Sequence, residues 1–146
     1  MGIFLIENAM RESDENMCPF CTNRKEELEA RVLLRDRASL CIYDKYPVSN
    51  GHALVISDRH VSSFFELDIG EQQSMLETLS RAKALIDRER NPQGYNIGIN
   101  DGAVAGQTIF HVHIHLIPRY DGDVDMPEGG VRWIFPDKAN YRAHRD

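Results

Sequence analysis

The chain has 146 residues, 42% hydrophobic and 27% charged, which suits one soluble globular domain and leaves too little for two comfortable cores. A net charge of −6 argues against a dedicated nucleic-acid binder, which carries a basic face, and no stretch has the apolar length of a membrane span. The start, MGIFLIENAM, lacks a basic leader and a persuasive cleavage site, and two of the three cysteines form a C-x-x-C pair. A reducing compartment, by default the cytoplasm, is therefore expected in place of a disulfide framework.

Residues 1–17 and the Asp-, Gly- and Pro-rich stretch 121–146 are expected to be peripheral parts of one domain covering 1–146. After CPFC at Cys18–Cys21, NRKEELEARV predicts a short helix or turn leading into a strand near Val32–Leu34. ASLCIYD (Ala38–Asp44) and HALVIS (His52–Ser57) read as strands, joined by KYPVSNG, whose Asn50-Gly51 suits a tight hairpin turn. The clearest helix is DIGEQQSMLETLSRAKALIDRER, with Asp68 and Glu71 placed as a capping box. Met75, Leu76, Leu79, Ala82 and Ile86 are expected to form its apolar stripe. YNIGIN (Tyr95–Asn100) alternates as a strand, and the glycine-containing loop DGAVAGQ leads into TIFHVHIHLIPRY. Hairpins with one long helix predict an α+β fold built on an antiparallel sheet of about five strands. Trp133, in the apolar patch Val131–Phe135, is expected to pack in the core.

HVHIH carries the chemistry. Alternation with β-branched residues is a strand pattern, so His111, His113 and His115 share one face while Val112, Ile114 and Leu116 enter the core. Three histidines on one strand face could hold an open, catalytic zinc. Cys18, Cys21 and His60 offer another count: two thiolates and two imidazoles make a closed tetrahedral site, leaving two triad histidines free. A redox role for the C-x-x-C pair would normally need a helix start in a βαβ setting, which this pattern lacks. Cys41, between Leu40 and Ile42, reads as an inert buried thiol.

Free histidines suit phosphoryl chemistry, because neutral imidazole is a competent nucleophile near pH 7 and a second one can donate to a phosphate oxygen. The loop Gly102–Thr108 could place backbone N–H groups around a phosphate, with the Gln107 and Thr108 side chains as extra donors. In an acidic chain the positive charge that holds an anion must be local, from N–H groups, imidazolium or Arg119.

GQTIFHVHIHLIPR, at Gly106–Arg119, resembles the signature of the histidine triad (HIT) superfamily of nucleotide hydrolases and transferases, His-φ-His-φ-His-φ-φ with φ apolar. NGHALVIS, Asn100-Asp101-Gly102 and the G-Q-T entry match as well, so the resemblance covers residues 18 to about 120. It implies that His113 is the nucleophile, that His115 contacts phosphate or leaving group, and that His52 supports the triad by hydrogen bonding. Cys18, Cys21, His60 and His111 would hold a structural zinc. Asp44 would bind the ribose, with Ile42 beside the base, and Asn100, Gly106, Gln107 and Thr108 would line the phosphate path. A homodimer through residues 68–100, with the sheet continuing across both subunits, is the implied assembly.

The third histidine separates the chain from uridylyltransferase-like members, where glutamine commonly stands, and favours water as the acceptor. Pro118-Arg119 resembles the dinucleoside polyphosphate hydrolase branch, while Asn100 resembles the phosphoramidases. The expected function is release of a nucleoside monophosphate, AMP first, from such conjugates through a nucleotidyl-histidine. The alternatives are a purine nucleoside phosphoramidase, a nucleotide-binding regulator with incidental turnover, and an open-zinc metallohydrolase. Nucleic acid and membrane are not expected partners.

Overall fold

The computed structural model describes residues 17–21 and 25–144, so the expectation for the first sixteen residues lies outside the described part. Five strands form one antiparallel sheet: β1 (Val32–Arg35), β2 (Ser39–Tyr43), β3 (Ala53–Ser57), β4 (Gly94–Gly98) and β5 (His113–Arg119). Their spatial order is β1-β2-β3-β5-β4, which puts the histidine strand inside the sheet and β4 at an edge. Among the described residues three α-helices accompany them, α1 (Lys25–Glu29), α2 (Ile69–Arg90) and α3 (Pro136–Ala139). This is the α+β class that the hairpins and single long helix predict. Among the described residues no helix is long and apolar enough to cross a membrane.

The sheet has two different faces, and register decides which residue lies on which. Directly paired residues project to the same side. Cys41 pairs with Val55, Val55 with Ile114 and Ala53 with Leu116. These residues form the main core with Met75, Ala82 and Ile86 of α2 and with Val112. On the other face Leu40 pairs with Ile56, Ile42 with Leu54, Leu54 with His115 and Ile56 with His113. The four aliphatic residues there are covered by Phe20, Leu28 and Val32. One face is thus glued to a helix, and the other carries the histidines beside a small apolar floor under the CPFC segment.

Helix α2 starts as its sequence predicts. The Asp68 side chain accepts from the Glu71 N–H and the Glu71 carboxylate accepts from the Asp68 N–H, both at 2.8 Å. Its stripe differs at one position: Leu76 is 51% exposed, while Ser74 and Thr78 are buried. The buried face spans Ser74, Met75, Thr78, Ala82 and Ile86, and Leu76 lies on the side of Met75 opposite to Ser74 and Thr78, where the helix turns to solvent. Buried hydroxyls are tolerated because Ser39 Oγ bonds both Thr78 Oγ1 (2.8 Å) and Ser74 Oγ (3.1 Å).

The expected β2–β3 hairpin forms, and its connection is broader than a tight turn at Asn50-Gly51 alone. Residues 44–52 form a broad loop opened by an Asx turn, Tyr46 N–H to Asp44 Oδ1 at 2.9 Å, and Gly51 adopts φ +90. Trp133 is not a core residue. It is 39% exposed, and its Nε1 donates to the Glu128 carbonyl (3.1 Å) within a tail that packs largely on itself. In that tail Gly129 has φ +97, and a Cβ there would stand 2.3 Å from the Ala139 oxygen.

Candidate active site and metal centre

The CPFC turn brings Cys18 and Cys21 against His60, which follows β3, and His111, just before β5. Cys21 Sγ lies 3.1 Å from His60 Nδ1 and 3.2 Å from His111 Nδ1. Cys18 Sγ is 3.6 Å from His111 Nδ1, and the two Nδ1 atoms are 3.2 Å apart. Zinc–sulfur and zinc–nitrogen bond lengths give tetrahedron edges of about 3.3 to 3.8 Å, so these four atoms fit a closed zinc site. The tautomer agrees as well. His111 Nε2 donates to the buried Ser57 carbonyl at 2.7 Å, which leaves the lone pair of the neutral ring on Nδ1, facing the thiols. Burial pushes His111 down to about 4, and the nearby His60 and His113 add to this against the Ser57 hydrogen bond, so the ring is neutral, as a ligand must be.

A second group of donors, Asp44, His52 and His115, gathers on the same face. His52 Nε2 and His115 Nδ1 are 2.9 Å apart, and Asp44 Oδ2 lies 3.5 Å from His52 Nε2. The Val48 N–H donates to His52 Nδ1 (3.2 Å), so the proton of the neutral ring sits on Nε2. That proton points at His115 Nδ1, which must accept, and His115 therefore carries its own proton on Nε2. Burial holds both rings neutral. It pushes His115 down to about 4, helped by His113 and His52 and opposed by Asp44. His52 is lowered by burial and partly restored by Asp44. The group is a directed chain of hydrogen bonds, not a metal cage: its nitrogen–nitrogen edge is short, and the nitrogen that a metal would need is protonated.

His113 sits between these two groups. Its Nδ1 donates to the His111 carbonyl at 2.8 Å, so the neutral ring keeps its lone pair on Nε2. The His115 ring is 5.1 Å away, centroid to centroid. Phe20, the aromatic inside CPFC, meets His111 at 5.7 Å and His113 at 5.4 Å, both edge-on. Sequence reasoning passed over Phe20, although an aromatic flanked by two ligands is bound to lie against whatever the ligands approach.

The entry loop is built differently from the expectation. Gln107 is buried, and its Nε2 hydrogens go to the Ser62 (2.8 Å) and Ile109 (3.2 Å) carbonyls while Oε1 accepts from the Gly102 N–H (2.8 Å). Its amide is committed to shaping the loop and is not a spare phosphate donor. Asn100, Gly106 and Thr108 are exposed along the same loop. Arg119 is also committed, bonded through Nε and Nη2 to Asp123 (2.7 and 2.8 Å) and through Nη1 to Asn96 (2.6 Å). Of the three local sources of positive charge expected for an anion, Arg119 is paired with Asp123 and Asn96 and His115 is held neutral, so backbone N–H groups are the source these contacts leave uncommitted. Ile42 is fully buried in the apolar floor, and Asp44 is half-buried at the end of β2. Cys41 faces α2, and burial pushes its thiol up to about 12, in keeping with an inert role.

Comparison with known proteins places this geometry. The profile of the HIT domain matches residues 25–122. An HIT-like protein of Methanocaldococcus jannaschii is 35% identical over 114 residues, 78% of this chain and 88% of that protein. The adenosine 5'-monophosphoramidase hnt1 of Schizosaccharomyces pombe is 33% identical over 116 residues, 80% and 82% of the two chains. A zinc-bound histidine triad family protein from Mycobacterium smegmatis superposes with a TM-score of 0.64 at 26% identity, covering 90% of this chain and 99% of that one.

Proposed function

Since the chain belongs to the HIT domain family, we propose that it is a nucleotide hydrolase that releases a nucleoside monophosphate, AMP in the first instance, through a covalent nucleotidyl-His113. The observation that carries this reading is the His113 Nδ1–H bond to the His111 carbonyl, which turns the Nε2 lone pair into the available nucleophile beside a neutral His115. Nε2 forms a P–N bond at the α-phosphorus while the bond to the leaving group breaks, and that bond's electron pair departs with the leaving group. Positive charge developing on the ring is stabilised through Nδ1–H by the His111 carbonyl. The His115 Nε2–H donates to a phosphate or leaving-group oxygen, its direction fixed through His52 by Val48. A water oxygen then forms a new P–O bond as the P–N bond breaks, a proton passes to solvent, and neutral His113 is restored.

Asp44 is proposed to bind ribose, with Ile42 in the apolar floor beneath the base. Asn100, Gly106 and Thr108 are proposed to line the phosphate path. Cys18, Cys21, His60 and His111 would hold a structural zinc, which when bound would tie the CPFC segment to the start of β5. Two chains are proposed to join through residues 68–100, a reading supported by the edge position of β4. The cytoplasm is the proposed location.

Dinucleoside polyphosphates, diadenosine polyphosphates among them, are the first substrate class proposed. The phosphoramidase reading is favoured by one observation, the match to the fission yeast monophosphoramidase over 82% of its length. Comparing kcat/KM on a diadenosine polyphosphate and an adenosine phosphoramidate separates the two. The mechanism itself is tested by intact-protein mass spectrometry after rapid quench with a slow AMP-phosphoramidate. One AMP should appear on His113, and turnover without any adduct would overturn the reading.

A further inference from the structure

The direction of the His52–His115 chain rests on one backbone donor, Val48 N–H, in the loop that joins β2 to β3. Val48 itself and Tyr46 are exposed; the loop is closed at its base by Asp44 N–H to the His52 carbonyl at 2.9 Å, and between these ends its backbone bonding is one turn, His52 N–H to the Ser49 carbonyl at 3.1 Å. The loop is held from outside. Arg90, the last residue of α2, donates from Nη1 to Asn50 Oδ1 at 2.6 Å. Tyr120, just past β5, donates its hydroxyl to the Asn50 carbonyl at 2.7 Å. The Arg90 stem crosses Gly51 so closely that a Cβ there would stand 2.7 Å from Arg90 Cδ and 3.4 Å from Pro118 Cγ. The guanidinium lies over the Tyr43 ring at 5.2 Å. Among the described residues Arg90 Nε is buried without a hydrogen-bond partner, an arrangement unlike a loose surface pair and one that needs its other contacts to hold it.

We propose that Arg90 and Tyr120 are positioning residues for the reaction of His113: by clamping Asn50-Gly51 they keep Val48 N–H on His52 Nδ1, and so fix the tautomer with which His115 meets the phosphate. The inference rests on the nucleotidyl-His113 reading for its chemistry, but not for its geometry. The clamp acts through a backbone group two residues from Asn50, so loosening it leaves every side chain of the proposed phosphate site in place. The change falls on proton location, a quantity that a purely structural brace would not move.

The test uses full-length protein labelled with 15N-histidine, without substrate, and long-range 15N–1H correlation spectra. The parent protein should show His52 protonated on Nε2 and bare on Nδ1, with His115 likewise. In Arg90→Met a second population should appear with both rings reversed, kcat should fall about tenfold, and KM should stay within about twofold. Arg90→Lys, which can still reach Asn50 Oδ1, should restore part of the loss. Tyr120→Phe deletes one exposed hydroxyl and should give the same reversal to a smaller extent, which serves if Arg90→Met does not fold. Arg81→Met, removing an α2 arginine that bonds Asp36 at the far end of the sheet, should change neither readout. Unaltered tautomers in folded Arg90→Met or Tyr120→Phe, or a parent His52 protonated on Nδ1, would overturn the proposal. Absence of an AMP adduct on the parent protein would overturn the functional reading instead, whatever the spectra show.

Discussion

Two clusters on one sheet face are made of nearly the same ingredients and do opposite things. Cys18, Cys21, His60 and His111 bring their ligand atoms to a common point, whereas His52 and His115, beside Asp44, hold their protons in one direction along a hydrogen-bonded line. The difference lies on the far side of each ring. A carbonyl, Ser57 C=O, takes the Nε2 proton of His111 and frees Nδ1 for a metal. An amide, Val48 N–H, occupies His52 Nδ1 and forces the proton onto the nitrogen that a metal would use. Counting ligands by residue type cannot separate the two; polarity of the outer partner can.

That contrast is open to attack at several points. His113 belongs to neither cluster and should matter most for chemistry: His113→Ala is expected to lower kcat by at least about 10⁴-fold and abolish the AMP adduct, with zinc content unchanged. A mass spectrum still showing the adduct would move the nucleophile elsewhere. His115→Ala should cost about 10²-fold in the rate of adduct formation under single-turnover conditions and also leave the metal in place, because the relay is a hydrogen-bond donor only. Metal analysis giving more than one zinc per chain, falling in His115→Ala, would sink the distinction between the clusters. Cys21→Ser should act in the reverse sense. Zinc is lost and Tm falls by about 5–15 °C, while the folded fraction keeps most of its activity.

The smallest effect expected is a pH dependence of stability in the zinc-loaded protein. His115, at about 4, and His52, also lowered, are neutral when folded and bind protons more readily when unfolded, near the ordinary imidazole value of about 6.5. Their contribution is constant above that value and is lost as pH falls from about 6.5 towards 4, on the order of 1–2 kcal/mol after solvent screening. Urea titrations across this range should show a flatter slope for His115→Gln than for the parent.

Much of the fold was legible because its signals are local. Apolar runs on either side of the turn residues KYPVSNG marked β2 and β3, period-two alternation marked β4 and β5, and the Asp68–Glu71 box marked the start of α2 to the residue. The Cys18, Cys21, His60 and His111 cluster was legible by counting possible ligands, once a resemblance had singled out His111 as the triad member of the set. What stayed hidden depends on backbone groups remote in sequence. Gln107 looked like a phosphate donor because nothing in GQT shows that the Ser62 carbonyl waits 45 positions earlier. Arg119 looked free because Asp123 and Asn96 are assigned to it only by the turn after β5 and the pairing of β4. Leu76 and Trp133 misled for another reason: hydrophobic residues are abundant on folded surfaces, so apolar character alone does not certify burial.

The three histidine orientations at this site are set by Ser57 C=O, His111 C=O and Val48 N–H, all main-chain groups. Genetic drift at position 48 or 57 can exchange the side chain and still transmit the same proton address. The proton arrangement of such a site follows the path of the main chain, so it is exposed to changes that move the backbone and insensitive to side-chain exchange at the donors and acceptors themselves. Proline at position 48 is the exception, as the one encoded residue that deletes the donor itself.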